Sequence, residues 1–186
     1  TRLARASVLG YRKEGMLCTL KHFPGIGKAP KDPHQEISDI TAERDVLEQE
    51  DLAPFRNLIN EFDIQPPLIM VSHLRYPAYD AENPACVSEV LLKGVLRKQL
   101  GFEGLVVTDD LEMGAMTSLY SFHDMGVMAV AAGADALLVC HNAESQKQVY
   151  AGILEAVQEG RLPADRLDEA VRRVLRTKLS LPPMQE

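Results

Sequence analysis

Four short apolar runs, each followed by a helical pattern, constrain this chain more than any other feature. The runs are Met16 to His22, Leu68 to Ser72, Leu105 to Thr108 and Ala136 to Cys140. They lack the polar alternation of a half-solvated strand, so they read as parallel strands buried on both faces. Thr41 to Phe62 reads as helical with a break near Pro54. Ser88 suits the N-cap of a helix running to Leu100 and ended by Gly101. Phe122 to Ala132 ends at Gly133, and Glu144 to Glu159 ends at Gly160. Pro163 to Lys178 is amphipathic, with Leu167, Val171, Val174 and Leu175 on one side. Residues from Arg2 to Leu9 read as a helix already under way, so a portion of a longer protein is expected.

A β-α unit repeated four times fits an open doubly wound sheet. It equally fits half of a (β/α)8 barrel, which needs ~250 residues in full. A half-barrel standing alone leaves two apolar edge strands open. The 186 residues are enough for one domain with a real core. A net charge of −7 argues against nucleic acid or an anionic membrane surface as the main partner. No apolar run approaches the ~20 residues that span a bilayer. Cys18, Cys86 and Cys140 are far apart and odd in number, and are expected to be buried free thiols in a reducing compartment.

The polar residues gather where the strands end, which is where α/β folds place chemistry. Lys21-His22-Phe23-Pro24-Gly25-Ile26-Gly27 closes the first run, and Asp32-Pro33-His34 follows. Neighbouring residues of a strand face opposite ways. Lys21 and His22 can therefore share a site only if the strand ends or bends there, and Pro24 and Gly25 permit that. Asp32 could orient the His34 imidazole and raise its basicity, making a general acid or base near neutral pH; an exposed loop histidine is the plainer alternative. Asp109, after Leu105 to Thr108, could be a nucleophile, a base or a metal ligand, or simply a turn residue. His73 and His141 repeat the theme at the second and fourth strand ends, and His123 falls in a helix. No metal-binding spacing is present, and Gly25-Ile26-Gly27 lacks the rest of a nucleotide-binding loop.

Taken together, these motifs resemble glycoside hydrolase family 3, in particular its bacterial β-N-acetylglucosaminidases. That group carries K-H-F-P-G-H-G, four residues, then D-S-H, and the spacing from Lys21 to His34 is the same. The resemblance continues through Asp51 to Arg56, Ser72 to Pro77, Leu100 to Gly104, Thr108 to Met113 and Ala132 to Asp135. It implies an α/β fold, the C-terminal half of a TIM-like (β/α)8 barrel, with residues 1–186 as one domain lacking its N-terminal half. It implies a retaining exo-glycosidase that removes terminal β-linked N-acetylglucosamine from muropeptides during cytoplasmic cell-wall recycling. Asp109 is then the nucleophile, and His34 with Asp32 the acid/base pair. Lys21, His22 and His73 are ligands of the sugar. Neither cofactor nor metal is implied, and the partner is a small carbohydrate, with no nucleic acid and no membrane. Retaining sites usually hold two carboxyl groups about 5–5.5 Å apart; here a His/Asp dyad replaces one of them. Ile26, Lys28 and Pro33 depart from the family's usual His, Asp and Ser. Two other readings compete: a non-catalytic sugar-binding remnant, and a phosphorylase, since a histidine acid does not repel phosphate.

Overall fold

A computed structural model of the chain describes residues 1–29, 38–61 and 68–181. Its main sheet has four parallel strands, β1 (Thr19–Phe23), β2 (Leu68–Val71), β5 (Leu105–Asp110) and β6 (Ala136–Leu138), side by side in that order. Each parallel strand is laid down on the same side of the one before it. A doubly wound sheet would instead reverse direction at a switch point. The sequential order is that of a barrel segment, with β1 and β6 as its edges.

Helices fill the connections. α1 (Arg2–Lys13) precedes β1. α2 (Arg44–Val46) passes into a π-helical turn, Leu47–Asp51, and then into α3 (Ala53–Asn60). Pro54 lies in the first turn of α3, where its missing N–H is harmless, so the break falls just before it at Leu52. A π-helix, Val90–Gln99, leads to β5, and Leu100 N donates to Val95 O across its end. Ser88 Oγ accepts from Leu91 N at 3.3 Å, as its capping role requires. After β5 come α4 (Gly114–Thr117) and α5 (Phe122–Ala132). Ser121 caps α5 through the Asp124 N–H, and Gly133 ends it at φ 128°. α6 (Ala143–Gln158) and α7 (Ala164–Leu179) complete the chain.

One element was not anticipated. After β2 the chain makes a small antiparallel hairpin of β3 (Arg75–Tyr76) and β4 (Asp80–Pro84). Two residues are too few to show a period of two, and the Pro77 between the strands reads only as a turn.

The core lies between sheet and helices. Ile69, Val71 and Val106 pack in one buried cluster with Phe55, Leu92, Leu96, Met125 and Ala129. α5 and α6 approach closely because Gly126 and Gly152 face the contact. A Cβ on Gly126 would sit 2.8 Å from Val149 Cγ1, and one on Gly152 would land inside the His123 carbonyl. Gly152→Ala is therefore expected to destabilise the fold by about 1–3 kcal/mol, since the obstacle is backbone that cannot step aside. Urea denaturation checks this, and unchanged stability would show that the helices can part at little cost.

Candidate active site

The C-terminal ends of β1, β2 and β5 converge on one place, and the end of β2 braces both neighbours. Tyr76 Oη donates to Gly25 O at 2.8 Å, and Ser72 Oγ lies 3.2 Å from Tyr76 Oη. The tyrosine proton is taken by Gly25, so Ser72 is the donor between the two hydroxyls. Ser72 N also donates to Phe23 O, and Phe23 meets Phe55 edge-on at 5.4 Å. Burial raises the Tyr76 phenol pKa and keeps the phenol a neutral donor. Gly25 sits at φ 134° with no room for a Cβ, which would lie 2.7 Å from Asp51 Cβ. The turn that closes β1 is thus held from beneath by β2 and from the side by Asp51.

On the other flank, His73 Nε2 lies 2.8 Å from Asp110 O, and His73 Nδ1 lies 3.1 Å from Cys86 Sγ. A carbonyl only accepts, so Nε2 carries the proton and Nδ1 takes the thiol hydrogen. The ring is 1% exposed, and burial lowers its pKa and favours the neutral form. Burial also raises the Cys86 pKa, keeping the thiol protonated.

Asp109 and Asp110 end β5. Asp109 Oδ1 accepts from Asp110 N at 2.9 Å, while Oδ2 lies 3.4 Å from His22 Nε2. Asp110 is tied on several sides. Its Oδ1 accepts from Glu112 N at 3.1 Å and Cys140 N at 3.3 Å, and its Oδ2 pairs with His141 Nε2 at 3.1 Å. Glu112 in turn accepts from His141 N and Asn142 N, which lowers its pKa. These bonds lace the loop after β5 to the loop after β6.

Lys21 and His22 share a site because β1 is irregular there: its register with β2 shifts between Leu20 and Phe23. Both line a cleft of about 360 Å³ whose other walls include Gly25, Ile26, Asp51, Pro54 and Phe55. Asp109 is not a wall of that cleft; His22 stands between the two. The peptides Lys21-His22 and Phe23-Pro24 are both cis. Ile26 packs against the core, and Lys28 Nζ bridges Glu50 and Asp51, each at 2.7 Å. These two departures from the family pattern therefore fasten the loop and leave Asp109 untouched.

The structure brings Asp109 and His22 within 3.4 Å of each other, and Lys21 joins His22 in lining the neighbouring cleft. Asp32, Pro33 and His34 lie outside the described residues. His73 is corrected: with its ring buried and both nitrogens engaged, none remains for a sugar hydroxyl. Cys140 is also corrected, being exposed just beyond β6, whereas Cys86 is buried and Cys18 partly so. The bracing roles of Ser72 and Tyr76 went unread, although both stand in the stretch Ser72 to Pro77 singled out above. His123 pairs with Glu155 at 2.8 Å between α5 and α6, away from the site. Among the described residues, no group of three His, Cys, Asp or Glu is placed to hold a metal ion. No described helix is long and apolar enough to cross a membrane.

Parallel strands laid down in order, with carboxylate and basic side chains at their C-terminal ends, define the class: a barrel-type α/β domain of the kind that carries its chemistry at one mouth. Comparison with known proteins narrows this. The glycosyl hydrolase family 3 N-terminal domain matches residues 1–177, and the chain belongs to that family. A family 3 β-N-acetylglucosaminidase from Paenibacillus sp. str. FPU-7 superposes with a TM-score of 0.92 at 38% identity, over 96% of this chain and 34% of that one. The β-hexosaminidase of Idiomarina loihiensis is 35% identical over 85% of this chain and 46% of its own length. The β-glucoside phosphorylase BglX superposes with a TM-score of 0.88 at 30% identity, over 98% of this chain and 35% of that one. The chain thus spans between a third and a half of the length of these relatives.

Proposed function

We propose that this chain is the catalytic-mouth half of a retaining exo-β-N-acetylglucosaminidase, its barrel completed by the rest of the protein. The observation that carries the reading is the Asp109 carboxylate at the end of β5. One oxygen is held by the Asp110 N–H, and the other is turned to His22 at 3.4 Å. In this mechanism Asp109 Oδ2, the oxygen that faces His22, attacks the anomeric carbon as the bond to the leaving oxygen breaks. His34, oriented by Asp32, gives the leaving oxygen its proton. It then takes one from water, which attacks the anomeric carbon and releases Asp109. A histidine titrates near neutral pH without needing a carboxylic acid held neutral by burial. Lys21 and His22 bind sugar hydroxyls. Muropeptides are the natural substrate in this reading, and their recycling would take place in the cytoplasm. A relative from Arthroderma benhamiae is named as a secreted hydrolase, so fractionation of the native host checks the location.

The test is to trap the glycosyl-enzyme. The full-length gene product, incubated with a slowly turned-over fluorinated N-acetylglucosaminide, should carry one sugar on the peptide containing Asp109. A label on another residue, or turnover with inverted stereochemistry, would overturn the reading. The BglX relative favours one alternative, transfer to phosphate. If turnover depends on inorganic phosphate and yields a sugar 1-phosphate, the enzyme is a phosphorylase acting through the same Asp109 intermediate.

A further inference from the structure

Asp109 owes its orientation to a neighbour that does not touch the substrate. Its Oδ1 is held by the N–H of Asp110, so its aim depends on how firmly the Asp110 backbone is fixed. The side chain of Asp110 is tied by three contacts from the loops after β5 and β6, two of them at 3.1 Å. The carbonyl of Asp110 accepts from the Met113 N–H at 3.1 Å within its own loop and from His73 Nε2 at 2.8 Å, the bond that reaches it from β2's end. His73 is held in turn by the Cys86 thiol, which also lies 3.5 Å from Met116 Sδ.

We infer that His73 is a positioning residue for the Asp109 nucleophile, fixing the last peptide of β5 through a buried Cys86–His73–Asp110 chain. The inference rests on the assignment of Asp109 above. It follows from the geometry in three steps. The Met113 N–H holds the Asp110 carbonyl from within the turn after β5, and its second lone pair is left for a donor from outside that turn, which ties the peptide across to the end of β2. A neutral imidazole carries only one N–H, and spending it on that carbonyl leaves Nδ1 needing a donor, which a thiol of raised pKa supplies without charge. Finally, the imidazole is a flat ring packed on a central strand, so it holds position where a flexible lysine would not. Displacement of a reacting group by about 1 Å can cost on the order of 10²-fold in rate.

The full-length gene product with His73→Ala should therefore lose on the order of 10²-fold in kcat on an aryl β-N-acetylglucosaminide, with KM held within about threefold. His73→Gln, whose side-chain N–H can reach the place of Nε2, should recover most of that loss. A raised KM with kcat retained would make His73 a sugar ligand and overturn the inference. So would equal losses in the Ala and Gln variants, or a loss no larger than the fraction unfolded. If His73→Ala does not fold, the tautomer decides: a long-range ¹⁵N–¹H spectrum of the wild-type chain should show Nε2–H, and Nδ1–H would overturn the inference. Asp109→Ala, run alongside, keeps the two readings apart. Retained turnover there sinks the nucleophile assignment, whereas a dead Asp109→Ala beside a wild-type kcat in His73→Ala sinks only the positioning role.

Discussion

Asp109→Ala in the full-length gene product should lower turnover of an aryl β-N-acetylglucosaminide by at least about 10⁴-fold, because it removes the carboxylate proposed to form the covalent intermediate. The fold should barely notice. The side chain is a quarter exposed and, among the described residues, bonds the Asp110 N–H and faces His22, so stability should change by less than about 1 kcal/mol. The vacated volume gives a second readout. Azide can enter from the face Asp109 occupied, bond to the anomeric carbon and displace the aryl oxygen, giving the glycosyl azide of inverted configuration. Azide-dependent recovery would place Asp109 beneath the anomeric carbon. Near-normal turnover without azide would rule it out as nucleophile.

Asp135→Ala should do the opposite, leaving the chemical residues in place and costing the fold about 3–5 kcal/mol. The Asp135 carboxylate is fully buried and bonded on both oxygens. Arg97 at 2.7 Å and Val106 N at 3.0 Å reach Oδ2, while Arg166 at 3.0 Å and Arg173 at 3.1 Å reach Oδ1. Three guanidinium groups from the π-helix Val90–Gln99 and α7 thus converge on one anion at the start of β6. Removing it strands mutually repelling, mostly buried cations. Arg97 feels this most: burial lowers its pKa to about 10 even with Asp135 beside it. Urea denaturation should show a lower midpoint with an unchanged slope. Stability within about 1 kcal/mol of wild type would mean that Glu169, which bonds Arg166 and Arg173, neutralises the cluster alone.

The two residues differ in how far sequence reveals them. Asp109 stood out because a carboxylate directly follows the apolar run Leu105 to Thr108, although a turn residue at that place reads the same way. The strands themselves were legible from the same contrast, as were Ser88 and Gly133, whose cap chemistry is local. Asp135 carried no such signal. Its partners lie 29 to 38 residues away along the chain, and nothing in Arg97, Arg166 or Arg173 alone says that they meet. His73 was misread for a related reason. A histidine at a strand end looks the same whether it faces the mouth or turns under it, and only the hairpin of β3 and β4, invisible as a pattern, puts Cys86 behind it. The π-wound stretches were read simply as helix, since side-chain pattern alone does not separate the two windings.

The strand order has a last consequence for how the site should behave in time. Among the described residues, β5 is paired on both sides, with β2 and β6, whereas β1 is paired on one side, with β2. Amide hydrogens near Asp109 should therefore exchange with deuterium far more slowly than those near Lys21 and His22. The proposed nucleophile thus stands on an inner strand, and the proposed sugar ligands on an edge strand. A strand laid beside β1 would slow exchange at Lys21 and His22 and leave the pairing of β5 as it is.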